Sequence, residues 1–324
     1  MRKVKFSIVL PVFNEEEHID TCLKSILSSS LPNDQYEVIA VDNGSQDRSA
    51  EIIKYHNDVI YISAPNCNVG RVRNLGARAA SGDYLIFLDS DCTIGSAWLE
   101  QKLELIREHP ETVFGGGILL PDRPTWIERF WTLQSEDRSE LPKRLIGASI
   151  LTPKRTFFLA GEFNETVTSG EDSEFHGRLT DLKITVNLTN DMDVTHLGNA
   201  KTATNFVRRQ VWHSENYIQD IRSSIKDPIF ILTATFVLLF FSLAISVITS
   251  GSKTKIAAII VMLLIVPAIL TFKRIHRARS YKLRFIDLPK LYIIDLLYLV
   301  GRGIGLLSSV FITAQKSKQP DPHY

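Results

Sequence analysis

The sequence predicts an α/β domain, built as a mostly parallel sheet with helices on both faces and followed by membrane-crossing helices. Three observations carry that expectation. Short apolar runs alternate with amphipathic stretches over residues 1–200, the strand-helix-strand pattern that builds a parallel sheet. One run, Leu85-Ile-Phe-Leu88, continues directly into Asp89-Ser90-Asp91, so a strand buried on both faces ends in two acids. Residues 229–249 carry no charged side chain, and at ~1.5 Å per residue a helix of that length crosses a bilayer core of ~30 Å.

The elements follow in order. Residues 4–12 read as a strand ending at Pro11, and Asn14 then caps a helix with Glu17 at the capping-box position. Ile19, Cys22, Leu23, Ile26 and Leu27 fall at helical spacing. Residues 36–41 form a second strand that runs into Asp42-Asn-Gly-Ser-Gln-Asp47 and a helix, and residues 59–62 form a third. Asn68 to Asn74 opens a helix ending near Ser81-Gly82, and the strand to Asp89 comes next.

In such a sheet every strand end points its loop at one crevice, where open α/β folds bind ligands. Pro11 to Glu15, Asp42 to Asp47, Arg71 to Asn74 and Asp89 to Asp91 converge there. Phe13 can stack on a flat ring, Asp42 can accept hydrogen bonds from a base or ribose, and arginines such as Arg73 can pair with phosphate. Asp89 and Asp91 suit Mg²⁺ or Mn²⁺ held with a diphosphate, or alternatively an acidic turn capping the next helix. Together these are the parts of a nucleoside diphosphate site. Neither G-x-G-x-x-G nor G-x-x-x-x-G-K-[ST] is present to grip phosphate, which leaves that task to the metal. A net charge of +1 excludes a general nucleic-acid binder, and three cysteines without a C-x-x-C pair fit a reduced compartment.

A second uncharged run, residues 256–272, is joined to the first by Ser250-Gly-Ser-Lys-Thr-Lys255. The basic stretch Lys273, Arg274, Arg277, Arg279, Lys282 and Arg284 follows it, which by the positive-inside rule is cytoplasmic and keeps the first 227 residues on that side. A third apolar segment, 291–313, contains Asp295 and Arg302 on one helix face and a small-residue surface at Gly301, Gly305, Ser308 and Ser309. It either spans or re-enters.

Five motifs stand in one order: Pro11-Val-Phe-Asn-Glu15, Val41-Asp-Asn-Gly-Ser-Gln-Asp47, Asn68 through Asn74 to Gly82-Asp83-Tyr84, Asp89-Ser-Asp91, and Gly170-Glu-Asp172 through Arg178-Leu179. In this the chain resembles family 2 glycosyltransferases of the GT-A fold over residues 5–215. The resemblance implies inverting transfer from a nucleotide sugar, a UDP-sugar being favoured. It implies that Asp91 holds the metal, with Asp89 on the metal or the donor beside Ser90, and that Asp172 is the general base with Glu171 as its alternative. Val194-Thr-His196 resembles a late histidine completing the metal shell in some relatives. Ala160 to Glu165 resembles the acceptor loop, with Asn164 in place of its usual acid.

Residues 206–226 have an apolar face of Val207, Val211, Ile218, Ile221 and Ile225 beside Arg208, Arg209, Arg222 and Lys226, suited to lying on a bilayer. Processive relatives carry Gln-x-x-Arg-Trp there, whereas this chain reads Arg208-Arg-Gln-Val-Trp212-His213. The order departs from that motif, so the expectation is open between contact of Arg209, Trp212 or His213 with acceptor or diphosphate and simple packing at the membrane interface. The expected organisation is a cytoplasmic transferase domain at 1–200, an interfacial helix at 201–227 and a multi-pass membrane region at 228–324. The expected substrate pair is a nucleotide sugar and a lipid-linked acceptor at the bilayer. The alternatives are a polyprenyl-phosphate sugar synthase, whose ionised acceptor needs no base, and a silent nucleotide-sugar-binding scaffold.

Overall fold

The structure, a computed structural model, describes residues 5–133, 141–167, 170–214, 221–278 and 283–316. The chain divides into two compact units, Met1–Asp122 with Glu136–Gly198, and Arg123–Ser135 with Asn199–Tyr324. Residues 123–135, which the sequence places in the transferase domain, belong to the second unit.

In the first unit, β1 (Phe6–Val12), α1 (Ile19–Leu27), β2 (Tyr36–Asp42), α2 (Ser49–Tyr55), β3 (Val59–Ser63), α3 (Val69–Ala79) and β4 (Tyr84–Leu88) keep the expected alternation. After them come β5 (Cys92–Thr93), α4 (Trp98–Glu108), β6 (Val113–Gly115) and β7 (Ile118–Leu119). The chain leaves for α5 (Trp126–Thr132) in the second unit, then returns as β8 (Ser149–Pro153), α6 (Lys154–Leu159), α7 (Glu171–Asp181), β9 (Val186–Leu188) and β10 (Val194–His196).

The main sheet runs β3-β2-β1-β4-β8-β6-β9. Its first four strands are parallel, and β8 is antiparallel to both neighbours. Alternation within β1 explains why Ile8, Val9 and Leu10 are apolar without a break. Phe6, Ile8, Leu10 and Val12 face a layer containing Ile19, Leu23 and Leu99, while Val9 faces the layer of Val72, Leu85, Phe87 and Phe157. A small second sheet, β5-β10-β7, sets His196 opposite Cys92 in antiparallel register.

The first helix begins at Ile19, not at an Asn14 cap. Asn14 takes φ +55°, which Asn tolerates better than most residues. Its Oδ1 accepts from the Gln46 amide at 2.8 Å, and its own amide donates to Ser45 Oγ at 2.9 Å. Glu15 and Glu16 amides donate to Ser49 Oγ and Asp47 Oδ2. The polar residues after β1 and β2 thus latch two loops together.

The second unit adds α8 (Ala203–Ser214), α9 (Ile221–Ser224), α10 (Pro228–Ile248), α11 (Lys253–Arg277) and α12 (Leu288–Lys316) to α5. Among the described residues, three helical stretches, 228–248, 253–276 and 285–309, are long and apolar enough to cross a membrane. Exposed Leu238, Phe240, Ile245, Ile265 and Phe272 make α10 and α11 apolar on their outer faces. Asp295 is fully buried and pairs with Arg274, not with Arg302. Arg274 Nη2 lies 2.5 Å from Asp295 Oδ1, and Thr271 Oγ1 donates to Asp295 Oδ2 at 2.9 Å. Val207 and Val211 present their backbone to Gly301 and Gly305, so this part of the apolar stripe packs on α12. Ile218, Arg279 and Lys282 lie outside the described residues, as do the residues beyond Lys316.

Candidate functional site

The ends of β1, β4 and the loop after β2 frame a cavity of about 250 Å³, lined by Pro11, Phe13, Glu15, Asn43, Arg73, Asp89, Ser90 and Asp91, with Val12, Val69 and Val72. Phe13 is 55% exposed at its rim. Ser90 Oγ donates to the Pro11 carbonyl at 2.8 Å, which ties the Asp-Ser-Asp turn to the end of β1. The pairing of β10 with β5 carries His196 Nε2 to 3.1 Å from Asp91 Oδ2. Asp91, Cys92 and His196 bring their ligand atoms within 4.8 Å of one another. Cys92 is buried and its thiol is pushed far up, first by burial and then by Asp89 and Asp91, so it stays protonated. Asp91 and His196 offer a carboxylate and an imidazole as donors.

Negative charge is concentrated here. Burial, reinforced by Asp91, Asp89 and Asp47, raises the Glu15 carboxyl to about 7, with His196 pulling the other way. A cation bound beside these acids would favour the ionised carboxyl. Arg73 compensates on the far side. It is 4% exposed, with Nη2 2.6 Å from Asp89 Oδ1 and Nη1 bonded to Glu171. Arg73 therefore joins two acidic motifs, with only its Nε lacking a partner among the described residues.

Glu171 is buried and committed to Arg73, whereas Asp172 is half-buried in the first turn of α7. Asp172 Oδ2 accepts from the Gly147 amide at 2.9 Å, and Oδ1 from the Ser173 amide at 2.6 Å. These two backbone donors fix the orientation of the carboxylate at the start of α7.

Two expected contact residues are held by protein partners. Asp42 is buried and spends both oxygens on Ser45 and Tyr61, so Asn43 lines the cavity in its place. Asn74 is buried and binds the Phe163 carbonyl and amide and Glu165, holding the 161–165 loop. Arg209 and His213 line a separate cavity in the second unit, and Trp212 is 61% exposed against His213. Gly147 and Gly198 were not anticipated. A Cβ on Gly198 would collide with the Asp91 carboxylate. Its one sequence cue is a glycine two residues beyond His196.

Residues 7–159 match Glycosyl transferase family 2. Glycosyltransferase AglE of Haloferax volcanii is 31% identical over 200 residues, covering 59% of this chain and 66% of that protein. Poly(ribitol-phosphate) beta-glucosyltransferase of Bacillus spizizenii is 36% identical over 116 residues, covering 34% of this chain but 18% of that one. The chain thus spans just under two thirds of the first relative and a small part of the second. The mannosyltransferase PcManGT from Pyrobaculum calidifontis, solved with GDP-Man and Mn²⁺, has a TM-score of 0.57 at 16% identity over 94% of this chain and 87% of its own. That likeness shows a shared fold, the GT-A fold. With the five motifs in order, residues 7–159 of this chain match a glycosyl transferase family 2 domain.

Proposed function

We propose that the protein is a metal-dependent inverting transferase. It moves a sugar from a nucleoside diphosphate, by preference a UDP-sugar, to a hydroxyl of a lipid-linked or membrane-associated acceptor at the cytoplasmic face of a membrane. Its product would serve a cell-surface polysaccharide or glycolipid. The observation that carries this is the meeting of Asp91 and His196 beside Asp89 and Glu15, in a cavity rimmed by Phe13. A carboxylate, an imidazole and a nearby carboxyl fit Mn²⁺ or Mg²⁺, the imidazole favouring Mn²⁺. The Mn²⁺ in PcManGT supports the same choice. Asp91 and His196 would hold the ion, with Asp89 near it, and when bound the ion neutralises charge on the leaving diphosphate.

The remaining work falls to side chains of the chain itself. Phe13 stacks on the base, Ser90 keeps the Pro11 loop in register, and Arg73 positions Asp89. Asp172 takes the proton of the acceptor hydroxyl as its oxygen bonds to the anomeric carbon and the bond to the diphosphate breaks. Asp172 is preferred to Glu171 because Arg73 already occupies Glu171.

The test is nucleoside diphosphate release from a panel of nucleotide sugars with Mn²⁺ and a lipid extract. Asp172→Asn is expected to lower transfer to a hydroxyl by ~10²–10⁴-fold. Undiminished transfer to a lipid phosphate in that variant would instead identify a polyprenyl-phosphate sugar synthase. Failure of every donor to bind or turn over would leave a silent scaffold and sink the enzyme reading.

A further inference from the structure

A second cavity, of about 200 Å³, lies wholly within the second unit, and its polar lining comprises Glu128 from α5, Asn199 ahead of α8, Arg209, Gln210 and His213 from α8, and Arg302 from α12. Arg302 stands in one of the long apolar helices, where an ionisable residue marks function by default. Its Nη1 donates to the His213 carbonyl at 3.1 Å, and its guanidinium lies 5.2 Å from the Tyr298 ring centroid. Two guanidiniums from different helices therefore face one small space. His213 adds no third charge at neutral pH, since burial and then Arg302 and Arg209 push its imidazole down to about 4.

Glu128 supplies a second requirement. It is 2% exposed, and its Oε2 accepts from the Thr125 amide and hydroxyl, each at 2.8 Å. Its Oε1 is buried with no hydrogen-bond partner among the described residues. Leaving such an acceptor unmet in a buried place is costly, a cost that a ligand hydroxyl removes. A bare phosphate would satisfy the arginines and be repelled by Glu128. A phosphate ester carrying hydroxyls satisfies both. The volume is below the ~300–1,000 Å³ typical of sites for drug-sized ligands, which suits a headgroup and not a whole nucleotide sugar.

We propose that this cavity binds the phosphate-linked sugar headgroup of a membrane lipid, with its phosphate on Arg209 and Arg302 and a sugar hydroxyl donating to Glu128 Oε1. This rests on the lipid-linked acceptor proposed above and names its chemistry. Arg–phosphate pairing of this kind is often bidentate and charge-assisted.

The test is calorimetric binding to the full-length protein in detergent, using farnesyl phosphoglucose, farnesyl phosphate and inorganic phosphate. Farnesyl phosphoglucose is expected to bind most tightly and inorganic phosphate most weakly. Arg302→Gln or Arg209→Gln should weaken both lipid probes by ~10-fold or more, and Glu128→Gln should narrow the preference for the sugar-bearing probe. Undiminished binding in both arginine variants at unchanged melting temperature overturns the proposal, as does inorganic phosphate binding as tightly as the lipids. Sugar transfer alongside undiminished binding in those variants would remove the cavity and keep the transferase. Arginine-dependent binding without any transfer would do the reverse.

Discussion

Glu15 holds its proton up to about 7 because burial and Asp91 oppose its ionisation. Between its ordinary value of 4.5 and about 7, the folded protein keeps a proton that the unfolded chain has lost, so this group's contribution to stability falls as pH rises through that window. A divalent cation reverses the sign, since binding releases the proton. Mn²⁺ affinity is therefore expected to climb between pH 6 and 8, with proton uptake or release followed by calorimetry in two buffers. Glu15→Gln should flatten that climb. Gly198 offers a second handle: Gly198→Ala pushes a methyl into Asp91 and should weaken Mn²⁺ binding by ~10–100-fold, the usual effect of disturbing what orients a ligand. Asp89 and Asp91 are legible in the sequence because an apolar run delivers them to a sheet edge. Gly198 and Gly147 are not, because their partners Asp91 and Asp172 lie far away in the chain. Arg73 was legible as a site residue but not as the tie between Asp89 and Glu171, for the same reason.

At the scale of elements, the α8–α12 contact decides how the second unit is built. A Cβ on Gly305 would strike Ser214 Oγ and the Val211 carbonyl, and one on Gly301 would strike Gln210 and Val207. Backbone cannot retreat as a flexible side chain can, so Gly305→Ala is expected to cost ~1–3 kcal/mol, seen as a lower melting temperature in detergent. The small-residue surface of α12 could be read from the sequence, but its partner could not. The same periodicity that suits Val207 and Val211 to a bilayer suits them equally to a glycine face. Asp295 shows a similar limit. Helical spacing puts it on one face with Arg302, while α11 supplies its partner Arg274, whose guanidinium also donates to the Trp131 carbonyl at 2.7 Å.

For the whole molecule, the alternation of strands and helices was enough to foresee the parallel half of the sheet. The antiparallel β8 and the excursion of α5 were not foreseeable from local pattern, since both depend on which distant apolar faces they cover. Ile127 and Phe130 are buried in a cluster with Phe206, Leu270, Leu291 and Tyr298, all of the second unit. Cutting the chain after residue 198 therefore strips that cluster from α5. Such a truncated protein is expected to self-associate on size-exclusion chromatography. Replacing residues 123–135 in it with a Gly/Ser linker should restore a monomer, because the exposed apolar turn is gone.

The position of β8 in the sheet bears on how the chain is made. The parallel strands β1 to β4 leave the ribosome before β8, yet the outer edge of β4 pairs with β8, which follows α5 in the chain. The nascent sheet carries an open edge until Ser149–Pro153 emerges. Ile127 and Phe130 wait longer still, because their partners on α12 follow every strand of the sheet in the chain. Synthesis thus proceeds with an apolar turn looped out of a domain that is otherwise complete, and shielding that turn from other chains falls to a chaperone or to the membrane itself.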